Sequence, residues 1–420
     1  IESYEDYDLR FVISLNELTM VEELRDLEFM ADGPSSNENT LPHENDLATL
    51  IYTSGTTGNS KGVMLSHKNL VKNAMSTYKH LEIKKTDVWL SILPLAHTFE
   101  CTVGLLVPLL HGSSIHYINK APTPSVLMKA FQDVRPTMMV SVPLIIEKIY
   151  KSKILPNLTA TTTMRLLHNI SFTRKILNKL AGKKLLESFG GRLRFFGIGG
   201  AGVAPYVEQF LIESKFPYII GYGLTETAPL LAGSILGKKA KRVSTGVPMV
   251  GVEIDIKNKD PKTGNGEIIA RSPSVMMGYY NDEEKTAEVM DGEWFLTGDL
   301  GYIDDEGYLF INGRSKNVLI GSGGENIYPE QIESLINKTE TVEGSLMLHK
   351  NNQLIALIHL NKEKMTENEL QDIESYLENM RKEINSQVSS FSRMVKFIEE
   401  VEPFIMTPTK KIKRYLYADR

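Results

Sequence analysis

Ten consecutive residues, Thr53-Ser54-Gly55-Thr56-Thr57-Gly58-Asn59-Ser60-Lys61-Gly62, gather hydroxyls, glycines and one lysine directly after the apolar segment 47–52. That mixture suits a phosphate group. Gly55, Gly58 and Gly62 let the backbone turn tightly and bring its N–H groups to an anion, while the hydroxyls add donors and Lys61 adds charge. The run is not a Walker loop, because Lys61 is followed by Gly62 and the strand-like Val63-Met64-Leu65 rather than by a Ser or Thr opening a helix. By composition alone the competing assignment is a Ser/Thr/Gly surface loop between two strands.

Four further runs carry groups of chemical use. Tyr222-Gly223-Leu224-Thr225-Glu226 offers an aromatic ring for a flat base, a hydroxyl for a phosphate and a carboxylate for a hard cation. Trp294-Phe-Leu-Thr297-Gly-Asp299 ends an apolar run in an acid that can accept from a pair of hydroxyls or merely close a turn. His97 stands in Pro94-Leu-Ala-His97-Thr-Phe-Glu100, where a single histidine serves either structure or a ligand. The basic segment Met406-Thr-Pro-Thr-Lys410-Lys411-Ile-Lys-Arg414 is a solvated tail or a source of one placed ammonium. Gly197-Ile-Gly199-Gly200-Ala201-Gly202 fits G-x-G-x-x-G after a strand and before a helix. A dinucleotide site also needs an acid ending the next strand. That strand, Tyr218-Ile-Ile-Gly221, runs into Tyr222-Gly223 without one, which argues against a dehydrogenase.

The elements that must position these groups alternate. Strand-like and helical segments succeed one another from Ser114 to Phe210, which predicts an α/β body of parallel or mixed sheets covered by helices. Ser66 can cap a helix bearing Leu70, Ala74, Tyr78 and Leu81 on one face. Leu15, Leu18, Val21, Leu24 and Leu27 predict a helix over 14–30. Asp304-Asp-Glu-Gly307 predicts a hairpin between strands within 302–311. Beyond it lies a compact α+β unit: a helix from Pro329 to Ile336, strands at 345–348 and 354–360, and a helix opened by Thr366 and Glu369 with Leu370, Ile373, Leu377, Met380 and Ile384 on one face.

With 420 residues the chain calls for two or three domains. Its net charge of −5 combines −11 in residues 1–46 with +6 in the rest, a mildly basic body that suits an anionic ligand. No basic stripe interleaved with aromatics points to nucleic acid. One cysteine, Cys101, excludes an internal disulfide and fits a reducing, cytoplasmic setting. No apolar run reaches the roughly 18 residues of a membrane helix. The acidic start without an initiator methionine predicts the interior of a longer polypeptide.

Taken in order, these runs resemble the adenylate-forming enzymes, the superfamily of acyl-CoA synthetases, luciferases and peptide-synthetase adenylation domains, and most closely the bacterial long-chain fatty acid CoA ligases. The resemblance implies a large N-terminal domain, here 1–313, and a small mobile C-terminal domain, 314–420. It implies ATP, Mg²⁺ and CoA as cofactors and a medium- or long-chain fatty acid as substrate, with room for peripheral contact with membrane lipid. Thr53, Ser54, Gly55, Thr56, Thr57, Gly58 and Lys61 would hold phosphate; Gly199, Gly200, Ala201, Tyr222 and Gly223 would flank adenine. Thr225 would bond the α-phosphate, Glu226 would hold the metal, and Asp299 and Arg314 would bind ribose. His97 would lie beside the acyl pocket, Lys316 at the hinge, and Gly323 and Gly324 in the CoA tunnel. Lys411 would be the catalytic lysine, although Lys410 replaces the family's usual glycine and leaves two adjacent candidates. The same motifs admit a ligase that loads a carrier-protein thiol, or a non-catalytic nucleotide-binding homologue.

Overall fold

The computed structural model describes residues 12–13, 20–21, 42–77 apart from 55–59, 80–118, 120, 122–238, 240–320, 325–350, 353–406 and 412–417. Near the start, β1 (Val12–Ile13) pairs antiparallel with β2 (Met20–Val21). This corrects the helix expected over 14–30 at the two positions described there. Val21, counted toward a helical stripe, is β-branched and joins a strand pair instead.

Strands β3 (Leu47–Ser54) and β4 (Ser60–Ser66) pair antiparallel and flank the hydroxyl-glycine-lysine run. Val63 and Leu65 are fully buried on one face of β4, the period-two pattern of a half-buried strand. The chain then enters the helix His67–Thr77. Ser66 caps it: its hydroxyl accepts from the Asn69 amide at 3.2 Å, and the Asn69 side-chain oxygen accepts from the Ser66 amide at 2.9 Å. Leu70 and Ala74 are buried as expected, but so are Asn69 and Asn73 on the same helix.

The body is organised by a seven-stranded sheet in the order β11-β10-β9-β8-β7-β5-β6. Its parallel part comprises β5 (Val88–Ser91), β6 (Ser114–Tyr117), β7 (Met138–Ser141), β8 (Phe195–Ile198) and β9 (Tyr218–Gly223). Strands β10 (Leu230–Gly233) and β11 (Val247–Pro248) extend it antiparallel. Both faces are covered, so β7 and β8 are buried at every position, as parallel strands between helical layers must be. Trp89, Met138, Val140, Phe195 and Ile219 fill one core, and Leu90, Met139, Phe196, Ile198 and Ile220 fill the core behind it. Beyond the sheet, β12 (Glu253–Lys257), β13 (Gly266–Arg271), β15 (Met290–Asp291), β16 (Trp294–Ile303) and β17 (Leu309–Arg314) make a second, antiparallel sheet, with β16 and β17 as the expected hairpin. The short β14 (Gly278–Tyr279) adds to β4.

The C-terminal unit has its own cores, built around Ile336, Ala356 and Ile358 and around Leu346 and Phe404. Its sheet joins Val342–Lys350, Gln353–Leu360 and Lys396–Glu399, with the helix Pro329–Ile336 alongside. The single helix expected after Thr366 is two. Thr366 and Glu369 form their capping box, but Glu367–Gln371 ends at Asp372, which leaves helical geometry and caps a second helix, Ile373–Asn385, by accepting from the Ser375 amide at 3.0 Å. Leu370 is therefore 40% exposed, while Leu377, Met380 and Ile384 are buried. Among the described residues no helix is long and apolar enough to cross a membrane.

Candidate active site

The C-terminal edge of the parallel sheet faces the β16–β17 hairpin, and the candidate site is assembled between them. Along β16 the buried side is Phe295, Thr297, Asp299, so the strand's own alternation drives a carboxylate into the interior. Register sets Arg314 of β17 directly opposite. Arg314 Nε lies 2.8 Å from Asp299 Oδ1, and the Tyr222 hydroxyl, near the end of β9, donates to Asp299 Oδ2 at 2.8 Å. Thr297 supports the acid from behind: its hydroxyl donates to the Ile268 carbonyl at 2.6 Å and accepts from the Asp299 amide at 3.1 Å. Burial, reinforced by the Asp299 charge, holds the Tyr222 phenol well above its ordinary value, so it stays a donor. Burial alone would lower the Arg314 guanidinium, but Asp299, with Tyr222, Glu226 and Tyr279 behind it, outweighs burial and keeps Arg314 raised. Asp299 is 5% exposed, whereas the Arg314 side chain is 45% exposed and reaches outward.

A second cluster lies on the β4 side. The Tyr279 hydroxyl donates to Glu226 Oε1 at 2.9 Å, and Lys61 Nζ sits 4.6 Å from the centre of the Tyr279 ring. Burial and the neighbouring Glu226 charge keep this phenol protonated too. Tyr279 reaches Glu226 because β14 pairs with β4 and because the Met276 amide donates to the Glu226 carbonyl at 2.8 Å. Thr225 and Glu226 open a single 3-10 turn, Thr225–Thr227. Asn73 fastens that turn, donating to the Thr227 and Leu230 carbonyls at 3.1 and 2.8 Å and accepting from the Leu230 amide at 3.2 Å. Gly223 must be glycine here, since a Cβ would overlap the Pro229 carbonyl.

For a metal, the described residues hold no group of three or more His, Cys, Asp and Glu. One partly exposed carboxylate with one oxygen on Tyr279 fits a Mg²⁺ that keeps waters and takes phosphate oxygens, not an all-protein cage. Gly199, Gly200 and Ala201 follow β8. The Gly199 amide donates to the Ser141 carbonyl at 3.1 Å, a Cβ there would stand 3.0 Å from the Phe99 ring, and Gly200 takes φ +87°.

Comparison with known proteins settles the family. Residues 7–280 match the AMP-binding enzyme family, and residues 316–417 match its C-terminal domain. The chain belongs to the AMP-binding enzymes. It is 30% identical over 419 residues to the peroxisomal long chain acyl-CoA synthetase 7 of Arabidopsis thaliana, a match covering 89% of this chain and 59% of the relative. It is 33% identical over 319 residues to the long-chain-fatty-acid–CoA ligase heimdall of Drosophila melanogaster, covering 70% of this chain and 46% of that one. The chain thus spans about half to three fifths of the curated relatives it matches. Among solved structures, ATP-bound MatB from Rhodopseudomonas palustris superposes with a TM-score of 0.71 at 25% identity, covering 90% of this chain and 69% of that one. The o-succinylbenzoate coenzyme A synthetase of Bacillus subtilis in complex with AMP gives 0.69 at 26%, covering 89% and 69%.

In this AMP-binding enzyme, then, the structure gathers Tyr222, Asp299 and Arg314 in one cluster and Glu226 with Lys61 in another, bridged by Tyr279. Thr225 is partly exposed beside Glu226, and Thr53 is the last β3 residue with a described side chain. Ser54 is described as backbone only. Gly55, Thr56, Thr57, Gly58, Gly323, Gly324, Lys410 and Lys411 lie outside the described residues. Lys316 is exposed in the turn Ser315–Asn317 that follows Arg314. His97 is half-buried, and its Nδ1 accepts from the Phe99 amide at 3.4 Å. Phe99 and Val103, rather than His97, line a cavity of about 30 Å³ against the glycines of β8, β9 and β10.

Three residues escaped the sequence reading. Tyr279 carries no motif of its own. Asn73 could have been found as a polar residue on an otherwise apolar helix stripe. Glu100 could have been found from its neighbour, because a Cβ at Gly104, one turn on in the π-helix Glu100–Leu106, would overlap its carboxyl. Glu100 is fully buried, the Ser91 side chain and the Leu93 backbone approach its oxygens without full hydrogen-bond geometry, and burial outweighs them and pushes its carboxyl up to about 7.

Proposed function

We propose that this AMP-binding enzyme is an ATP-dependent acid–thiol ligase that activates a medium- or long-chain fatty acid and transfers it to CoA. A carboxylate has no leaving group that a thiol can displace. In the first step a carboxylate oxygen attacks the α-phosphorus of ATP, the bond to the β-phosphate oxygen breaks, and pyrophosphate leaves an acyl-adenylate. In the second, the CoA sulfur attacks the acyl carbon, AMP departs with the anhydride electron pair, and the thiol proton passes to solvent.

The observation that carries this reading is Asp299, a buried carboxylate clamped by the Tyr222 hydroxyl and Arg314 where the sheets meet, with Glu226 and Lys61 alongside. A carboxylate so placed can accept from ribose hydroxyls. The glycines 199–200 leave backbone bare for a flat base. Thr53, Lys61, Thr225 and the run between Thr53 and Lys61 would hold phosphates. Glu226 would hold Mg²⁺, which would offset phosphate charge when bound. The proposed electrostatic partner in the first step is Lys411, delivered by residues 314–420 turning about Lys316 against the body, 1–313. The same turning would present Gly323 and Gly324 to CoA. The names of the relatives support a fatty acid and CoA. A cytoplasmic setting, at or off the inner face of a membrane, completes the proposal; the Arabidopsis relative is named peroxisomal.

The test is pyrophosphate release from ATP with a series of carboxylic acids from acetate to oleate, followed by thioester formation with CoA or with acyl-carrier protein. Release that depends on a fatty acid, with transfer to CoA, is expected. Transfer to the carrier protein alone would move the acceptor, and no acid-dependent release would overturn the proposal.

A further inference from the structure

The helix Ser171–Ser188 is fixed to the body by one face. Its buried residues are Asn178, Gly182 and Leu185, and Leu185 belongs to the core that holds Leu90 and Phe196. Gly182 lies so close to the helix Pro205–Ser214 that a Cβ there would overlap the Ser214 side chain. Asn178 Nδ2 donates to Glu213 Oε2 at 2.7 Å, and Arg174 Nη2 donates to Glu213 Oε1 at 3.0 Å. These contacts set which side points away, since residues half a turn round from 178, 182 and 185 must face outward.

On that outward side two rows run next to each other at four-residue steps, Phe172-Ile176-Leu180 and Lys175-Lys179-Lys183. All six side chains are exposed, Phe172 by 73% and Leu180 by 60%. The three lysines make no ion pair among the described residues. The preceding helix, Thr162–Asn169, buries none of its residues and adds exposed Leu166, with Ile170 exposed at the junction. Single apolar residues on a surface are ordinary, but a contiguous patch of large ones marks a docking face.

Charge decides what docks. Residues 151–186 carry eight Lys and Arg and no Asp or Glu, in a chain whose net charge is −5. Two copies of so cationic a face repel each other, which disfavours a dimer through it. A nucleic acid would meet the lysines and leave the Phe172 row in water. A bilayer with anionic headgroups satisfies both rows at once: the apolar row enters the acyl boundary while the lysines stay among the headgroups.

We infer that the face built on Phe172, Ile176 and Leu180 with Lys175, Lys179 and Lys183 docks on a bilayer surface containing anionic lipid. The inference goes beyond the membrane setting proposed above by assigning the face that makes the contact, and it stands or falls apart from the ligase reading.

The experiment is co-flotation of the full chain with vesicles of phosphatidylcholine alone or of phosphatidylcholine mixed with phosphatidylglycerol. The wild type is expected to float with the mixed vesicles, far less with phosphatidylcholine alone, and less as salt rises from about 0.1 M to about 1 M. Each lysine at an anionic surface contributes roughly fivefold, so Lys175→Gln, Lys179→Gln and Lys183→Gln together should lower vesicle affinity about a hundredfold. Phe172→Ser, Ile176→Ser and Leu180→Ser together should lower it about tenfold or more. Both triple variants should keep the wild-type Tm, because the changed side chains are exposed. Phe172→Trp gives an independent reading: the fluorescence it adds to that of Trp89 and Trp294 should shift to the blue on mixed vesicles. No flotation of the wild type with mixed vesicles overturns the inference, and so does flotation unchanged in either triple variant. If a triple variant does not fold, an unshifted Phe172→Trp signal on vesicles that carry the protein overturns it. Self-association of the wild type that the serine variant relieves, without vesicle binding, would make the face a contact between copies and overturn it as well.

Discussion

In the proposed reaction Asp299 and its two partners would act on ground and transition states alike, because a ribose held by the Asp299 carboxylate does not change during phosphoryl chemistry. Asp299→Ala is expected to raise KM for ATP far more than it lowers kcat, by about 1.5–3 kcal/mol for the lost charge-assisted hydrogen bonds. Steady-state kinetics at varied ATP checks it; an unchanged KM would reduce Asp299 to a turn residue. Glu100 predicts a pH effect on stability. Its folded carboxyl is raised to about 7 from 4.5, so the folded state holds the proton more tightly than the unfolded chain. The associated stability is fully present below 4.5 and is lost as pH rises through about 7, on the order of 3 kcal/mol at most. Half-buried Glu147 and buried Glu208, also raised by burial, slope the same way. Glu100→Gln should flatten the fall in Tm between about pH 5 and 8, and an unaltered slope would mean that Glu100 ionises freely in the fold.

Among the elements, the helix His67–Thr77 does more than cover a sheet. Asn69 and Asn73, one turn apart on its buried face, bind two separate loops: Asn69 donates to the Pro273 and Val275 carbonyls, both at 2.8 Å, and Asn73 secures the Thr225–Thr227 turn. Asn73→Leu would leave an amide and two carbonyls buried without partners, a loss of about 3 kcal/mol. Because the same turn carries Thr225 and Glu226, activity should fall in both half-reactions together, unlike a loss confined to one chemical step. Chemical denaturation beside single-turnover assays would show whether stability and activity fall together. Element boundaries were partly legible. Ser66, the β16–β17 turn and the Thr366–Glu369 box announced themselves locally. The break at Asp372 did not, since an acid on a helix surface and an acid capping a new helix look alike until the chain direction is known.

At the scale of the molecule, contacts between body and C-terminal unit define the arrangement seen. Lys151 Nζ donates to the Asn337 carbonyl, and Gln331 Nε2 donates to Asn312 Oδ1 at 3.1 Å. If residues 314–420 turn between half-reactions, these contacts must break. Lys151→Ala should therefore change the ratio of adenylate formation to thioester formation severalfold while leaving ATP binding intact. Lys316→Pro, which fixes φ near −65° at the proposed pivot, should spare one half-reaction and suppress the other. Equal activity in both would place the pivot elsewhere.

Candidate chemistry that lies within one contiguous run is legible from residue order. The hydroxyl-glycine-lysine segment, Tyr222 to Glu226 and the Thr297–Asp299 corner are local backbone designs, so residue order alone announces them, and the apolar runs between them announced a layered α/β fold. Only the tertiary structure decided which runs meet. Tyr279 reaches Glu226 and Tyr222 reaches Asp299 across 53 and 77 residues, and Asn73 reaches the Thr227 carbonyl across 154. Nothing in the spacing of such residues encodes the meeting; strand order, register and the packing of two cores on one sheet do. The same holds for Glu100 and His80, whose burial no local pattern in the sequence shows.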